Sequence, residues 1–217
     1  LLQADLTIPA GARVAVIGPS GAGKSTLIGA IAGFVPIESG HLTWQGDDIT
    51  DVSPGARPAA MLFQDGNLFP HLSAAQNVAL GLQANLRLSA AEQDQVKQAL
   101  ARVGLEGMGA RLPAALSGGQ QSRVALARVL VQAREILLLD EPFAALGPAL
   151  KAEMLDLVAG LTEESGATLL MVSHEPADAR RIADEVILVA EGRAEPPVAT
   201  AGLLDNPPPA LQAYLGD

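Results

Sequence analysis

The chain has 217 residues, is 49% hydrophobic and 18% charged, and contains no cysteine. It is therefore expected to bury a substantial core, and it is neither a disordered chain nor a disulfide or cysteine–zinc scaffold. Its 24 acidic against 14 basic residues give a formal net charge of −10, which argues against general nucleic-acid binding, a function that needs a basic footprint.

No apolar run is long enough to span a bilayer. A mean hydropathy of +0.27 fits either an apolar docking surface or a simple bias towards alanine and leucine. The sequence opens on Leu1 with no charged-then-apolar leader, and a true N-terminus further upstream is expected.

The β-rich run 13–17 leads into Gly18-Pro19-Ser20-Gly21-Ala22-Gly23-Lys24-Ser25, which fits G-x-x-x-x-G-K-[ST] without mismatch. The glycines let successive backbone N–H groups turn towards phosphate oxygens, Lys24 supplies positive charge near the β- and γ-phosphates, and Ser25 offers a hydroxyl to Mg²⁺. A helix is predicted directly after it, with Leu27, Ile28 and Ile31 on one face and Gly33 as its stop. Its positive end points at the same anion. Residues 42–44 and 59–63 read as short strands between turns.

From about 71 to 113 the texture changes. Ser73 and Ser89 each stand three residues before a Gln or Glu, the spacing of a capping box, and Val96, Leu100 and Val103 share one helical face. This reads as a helical insertion. Leu116-Ser117-Gly118-Gly119-Gln120 then precedes a further helix through Arg123, Ala127 and Leu130. It is a second helix start open to an anion, without a lysine or magnesium ligands of its own. The economical explanation is that it serves the nucleotide of another copy.

Strand and helix then alternate: strand 135–139, helix 148–164 ending near Gly166, strand 168–172, helix 176–183 and strand 186–189. Nearly continuous apolar strands between helices predict a buried parallel sheet. The strand before Asp140 and Glu141 is apolar throughout, so the two acids belong at its carboxyl end, where open α/β sheets bind ligands. Asp140 would face Mg²⁺, and Glu141 would polarise water for in-line attack as general base. The tail from Arg193, with Pro207-Pro208-Pro209, is expected to pack loosely.

With these motifs the chain resembles the ATP-binding cassette (ABC) family, specifically the ATPase subunits of bacterial importers, over essentially its whole length. Gly18 to Ser25, with Thr26, resembles the Walker A motif. Leu116, Ser117, Gly118, Gly119 and Gln120 resemble the ABC signature, and 136–141 the Walker B strand with its catalytic glutamate. Gln64 in Met61-Leu62-Phe63-Gln64 resembles the Q-loop glutamine, and His174 in Val172-Ser173-His174-Glu175 the switch histidine. By pattern alone, neither Gln64 nor His174 is distinguished from a structural residue after a strand.

The resemblance implies an α/β fold: a P-loop NTPase core of about 1–70 and 132–217 with a mostly parallel sheet, a small antiparallel β subdomain, and an inserted helical subdomain of about 71–131, all in one domain. It implies ATP and Mg²⁺ as cofactors, with Ser25, Gln64 and Asp140 at the metal and Lys24, Gln64, Glu141 and His174 in catalysis. It implies a head-to-tail, ATP-dependent dimer of two copies, the signature of each completing the site of the other. Further implied are integral-membrane permease subunits that Gln64 senses, indirectly a periplasmic solute-binding protein, no nucleic-acid partner, and a place on the cytoplasmic face of the inner membrane.

Within the family, 61–64 with Asn67-Leu68-Phe69, Ala110-Arg111-Leu112-Pro113 and 169–174 are similar to the thiamine-importing branch, which makes thiamine the expected solute; sulfate, iron and polyamine importers are the alternatives. An ABC ATPase of DNA repair or chromosome organisation fits less well, because the segment between Lys24 and Ser117 carries no sustained heptads.

The sequence departs from the family after the signature, where Gln121 and Ser122 replace the more usual Arg-Gln while Arg123 and Arg128 remain, and at two places of greater weight. The aromatic residue that stacks on adenine should precede the phosphate loop, yet the first aromatic is Phe34; Trp44 is either a substitute or a packing residue of the small sheet. The family's usual Ser-Ala-Leu-Asp reads Ala144-Ala145-Leu146-Gly147 here. The missing carboxylate predicts ATP binding with weakened communication between sites or weakened turnover, and it keeps open a nucleotide-binding module with impaired hydrolysis.

Overall fold

The computed structural model describes residues 1–64, 66–207 and 211–212. In chain order its elements are β1 (Gln3–Ala4), β2 (Arg13–Ile17), α1 (Lys24–Ala32), β3 (Thr43–Trp44), β4 (Asp47–Asp48), β5 (Ala59–Leu62), α2 (Ala74–Ala79), α3 (Ala90–Arg102), α4 (Gly118–Leu130), β6 (Ile136–Asp140), α5 (Pro148–Ser165), β7 (Thr168–Val172), α6 (Pro176–Ile182), β8 (Glu185–Ala190), β9 (Arg193–Ala194), β10 (Val198–Ala199) and α7 (Thr200–Asp205).

The strands β8, β2, β7, β6 and β5 lie side by side in that order and run parallel. Successive strand residues point to opposite faces, and both faces are covered. Val14, Val16, Leu138, Leu170 and Ile187 pack with Leu27 and Ile28 of α1. Ala15, Ile17, Leu137, Leu139 and Met171 pack with Met154 and Val158 of α5, Ile182 of α6 and the helices of the insertion. That is why these strands read as unbroken apolar runs. Each fully buried aliphatic side chain contributes about 1.5–3 kcal/mol.

The expected architecture is present: a mostly parallel sheet, the antiparallel pair β3–β4, and helices inserted between β5 and β6. Both expected capping boxes form, Ser73 with Gln76 on α2 and Ser89 with Glu92 on α3. Val96, Leu100 and Val103 are buried together with the sheet's own side chains, so the insertion shares its core with the sheet.

The tail corrects the expectation of loose packing. β9 pairs with β8 and with β1, and β10 pairs with β8. The buried hydroxyl of Thr200 donates to Ala183 O at 2.8 Å. The available edge of β8 holds this segment despite its prolines. Pro208 and Pro209 lie outside the described residues.

Candidate active site

Strand register brings the motifs to one edge of the sheet. Ile17 pairs with Leu188, Val16 with Val172, Asp140 with Val172, and Leu62 with Leu139. The strands are parallel, so Gly18, Ser173, Glu141 and Phe63 all leave the sheet at its carboxyl edge, and Gln64 and His174 follow one residue later.

The phosphate loop is shaped by crowding and by backbone sign. Gly18 has φ +148°, and a Cβ there would lie 1.9 Å from Val189 O. Gly23, with φ 110°, stands at the start of α1, where no side chain caps the helix. The N–H groups of Lys24, Ser25 and Thr26 have no carbonyl one turn earlier inside the helix. Together with the helix dipole they form an anion site. Lys24 is buried, and its Nζ donates to Gly18 O at 2.8 Å and Pro19 O at 3.0 Å, bracing the loop. Burial lowers its pKa, against the opposing pull of Glu141 and Asp140.

Ser25 Oγ donates to Asp140 Oδ1 at 3.1 Å. Burial raises the pKa of Asp140 and neighbouring Glu141 adds to this, while the Ser25 bond, Lys24 and His174 oppose it. One residue on, Glu141 adopts φ 47°, a left-handed conformation uncommon for a side-chain-bearing residue. Its N–H is held by Val172 O at 3.2 Å. That turn aims its carboxylate across β7, where Oε1 meets His174 Nε2. The structure thus joins Ser25 to Asp140 and Glu141 to His174. Gln64 is exposed at the same edge, and neighbouring Asp65 lies outside the described residues.

The signature segment is built differently. Ser117 caps α4, accepting from Gln120 N at 3.3 Å while its own N–H is held by Gln120 Oε1 at 3.0 Å. Ser117 and Gly118 are exposed. Gly119 is buried against Leu150, with room for no Cβ unless that side chain moves. Among the described residues, no hydrogen bond or ion pair joins 116–120 to the phosphate loop.

Trp44 belongs to packing. Its indole donates to Glu135 Oε2 at 3.3 Å, at the amino ends of β6 and β7 and so at the opposite edge from the phosphate loop. Gly147 is the exposed N-cap of α5.

Two supports hold the signature helix, one without a signal in its sequence neighbours and one with. Arg128 of α4 donates to Gly66 O at 2.6 Å and Asn67 O at 2.8 Å, tying the signature helix to the segment after Gln64. The Ser117–Gln120 capping box is marked in the sequence by the S-x-x-Q spacing.

A family model described as ABC transporter matches residues 1–144. The chain is 66% identical over 215 residues to the thiamine import ATP-binding protein ThiQ of Ruegeria sp. (strain TM1040), covering 99% of this chain and 93% of the relative. It is 48% identical over 217 residues to the protein of that name from Chelativorans sp. (strain BNC1), covering 100% of this chain and 88% of the relative. Among solved structures, it is similar to the ATP-binding cassette MJ0796, a dimer in a post-hydrolysis state bound to ADP and Pi. The TM-score is 0.77 at 31% identity, covering 90% of this chain and 88% of that one.

Proposed function

Because this chain belongs to the ABC transporter family, we propose that it is the ATP-hydrolysing subunit of an importer that drives thiamine uptake through partner membrane subunits. What carries the ATPase reading is the meeting of Lys24, the Ser25–Asp140 pair and the Glu141–His174 pair at one edge of the sheet. The thiamine assignment rests on the likeness to ThiQ.

The chain's own residues divide the work. Backbone N–H groups of 18–26, Pro19 apart because it has none, and Lys24 hold the β- and γ-phosphates. Glu141 orients and polarises the attacking water and accepts its proton, while His174 contacts the γ-phosphate. Gln64 lines the same edge near the water and the metal.

Ser25 Oγ and Asp140 Oδ1 are hard oxygen donors 3.1 Å apart beside the phosphate loop, a small set that fits Mg²⁺, which keeps waters and phosphate oxygens as its remaining ligands. When bound, magnesium neutralises charge that develops on the phosphate oxygens.

Exposed Ser117 and Gly118 complete the site of a second copy in a head-to-tail dimer, the arrangement in which two half-sites become whole. No helix among the described residues is long and apolar enough to cross a membrane. By the likeness to thiamine import ATP-binding proteins, translocation falls to separate permease subunits. The chain sits on their cytoplasmic face, and a periplasmic protein delivers the solute. The core of about 1–70 and 132–217 carries the nucleotide, and the insertion of about 71–131 carries the signature.

The test is uptake of labelled thiamine into cells lacking their own thiamine-import ATPase. The wild-type chain, expressed with its permease, restores uptake; Glu141→Gln does not. Restored uptake of sulfate, iron or a polyamine instead of thiamine overturns the solute assignment. A second reading, a nucleotide-binding module with weak hydrolysis, is favoured by Gly147 alone, and phosphate release by the purified chain decides it.

A further inference from the structure

Four side chains around His174 have no part in the chemistry above. Lys151 sits in the first turns of α5, and its Nζ bridges Glu175 Oε1 at 2.8 Å and Asp178 Oδ2 at 2.7 Å. The Lys151 side chain is only 13% exposed and that of Asp178 only 8%. The same Asp178 oxygen accepts from the hydroxyl of buried Ser173. That hydroxyl in turn accepts from the N–H of Glu175 at 3.1 Å. Both chain neighbours of His174 are therefore fastened to one ammonium group.

The ring this makes is closed. From Glu141 the chain runs through 142–150 to Lys151, across the ion pairs to Ser173 and Glu175, and back through His174 Nε2 to Glu141 Oε1. Lys151 and Asp178 are the buried pair, and removing one partner leaves an uncompensated charge. The Glu175 side chain is 64% exposed, so its arm contributes little. The tight fastening runs through Asp178 to Ser173 and, by the Ser173 hydroxyl, to the N–H of Glu175. Burial alone would lower the pKa of Lys151, but its bonds to Asp178 and Glu175 more than offset that and hold the ammonium above its ordinary value.

The geometry points to Lys151 as a positioning residue for His174: acting through Asp178, Ser173 and Glu175, it fixes the backbone on either side of the histidine and so sets the imidazole against Glu141. This deepens the ATPase reading and rests on it for its catalytic consequence. The placement of the ring itself is measurable without turnover.

The chain has 3 histidines, His41, His71 and His174, so their ring Cε1–Hε1 signals can be assigned by substitution. Lys151→Met shifts the His174 signal and leaves those of His41 and His71 in place. Lys151→Arg restores it. In the assembled importer, Lys151→Met lowers kcat for ATP about tenfold with KM within about twofold, and in a His174→Ala background it causes no further loss.

Where Lys151→Met alone fails to fold, Lys151→Met with Asp178→Asn removes both charges and is read the same way. An unmoved His174 signal overturns the proposal, as does an equal further loss of kcat in the His174→Ala background. A wild-type complex that releases no phosphate overturns the ATPase reading alone, and the ring signal still decides the placement of His174.

Discussion

Ser25 Oγ and Asp140 Oδ1 lie 3.1 Å apart although 115 residues separate them in the chain. The contact is made by register: β2 and β6 flank β7, and Val16 and Asp140 both pair with Val172. The same half-buried position that suits a metal ligand is costly for a carboxylate with none.

Asp140→Asn is expected to stabilise the nucleotide- and metal-free protein at neutral pH while abolishing magnesium-dependent hydrolysis. Burial raises the pKa of Asp140 in the fold, with Glu141 adding to it. A raised carboxyl contributes stability below its unfolded pKa and loses that contribution as pH rises through the folded value. The neutral-pH gain is under about 1 kcal/mol, because solvent screens a half-buried group. Thermal melts of both proteins in metal-free buffer check it: the gap closes as pH falls towards the ordinary aspartate range.

Lys24→Ala and Glu141→Gln should separate binding from chemistry. Lys24 braces the loop through Gly18 O and Pro19 O as well as carrying charge, and losing one charged hydrogen bond to phosphate costs about 1.5–3 kcal/mol, roughly 10- to 150-fold in Kd for ATP. Glu141→Gln keeps the shape but cannot accept the proton of water. Calorimetry should show ATP affinity lost in the first and kept in the second, and size-exclusion chromatography with ATP should show the second accumulating as a dimer. Normal phosphate release by both would refute the site.

Gly18→Ala should unfold the loop. Its Cβ would sit 1.9 Å from the backbone oxygen of Val189, which lies within β8 and has no freedom to withdraw. A loss of more than about 2 kcal/mol in denaturant unfolding is expected. Gly21→Ala meets no atom within 4 Å and should cost less, through its positive φ alone.

Local signals carried most of what the sequence revealed. The period of two was hidden in 136–140 and 168–172 because both faces are buried, and the flanking helices showed the sheet to be parallel. Capping spacing placed α2 and α3. The phosphate loop and Asp140–Glu141 were legible because their residue types follow from the chemistry. Long-range fastenings were not legible. Arg57, buried and donating to Ala30 O, Ile31 O, Thr50 O and Val52 O, ties the end of α1 to the loop after β4. Nothing in its sequence neighbours marks that. Lys151 likewise looks like a solvated helix residue until α6 is placed beside it. Pairing of β9 and β10 with β8 leaves no mark in the sequence, because two-residue strands show no periodicity.

Gly147→Asp tests the remaining departure from the family. Gly147 caps α5 with φ −64° and ψ 157°, an extended conformation open to any residue. A Cβ there meets no atom within 4 Å, so the substitution brings no clash. Aspartate is a preferred N-cap, and its gain over glycine is only a few tenths of a kcal/mol, about 0.3. A modest rise in melting temperature therefore reports the cap alone. The functional effect is separate: the restored carboxylate stands on the loop between Glu141 and Lys151, and turnover of the assembled importer should rise while ATP affinity stays fixed. Unchanged turnover with the same rise in stability would show that this chain couples its two sites without an acid at that position.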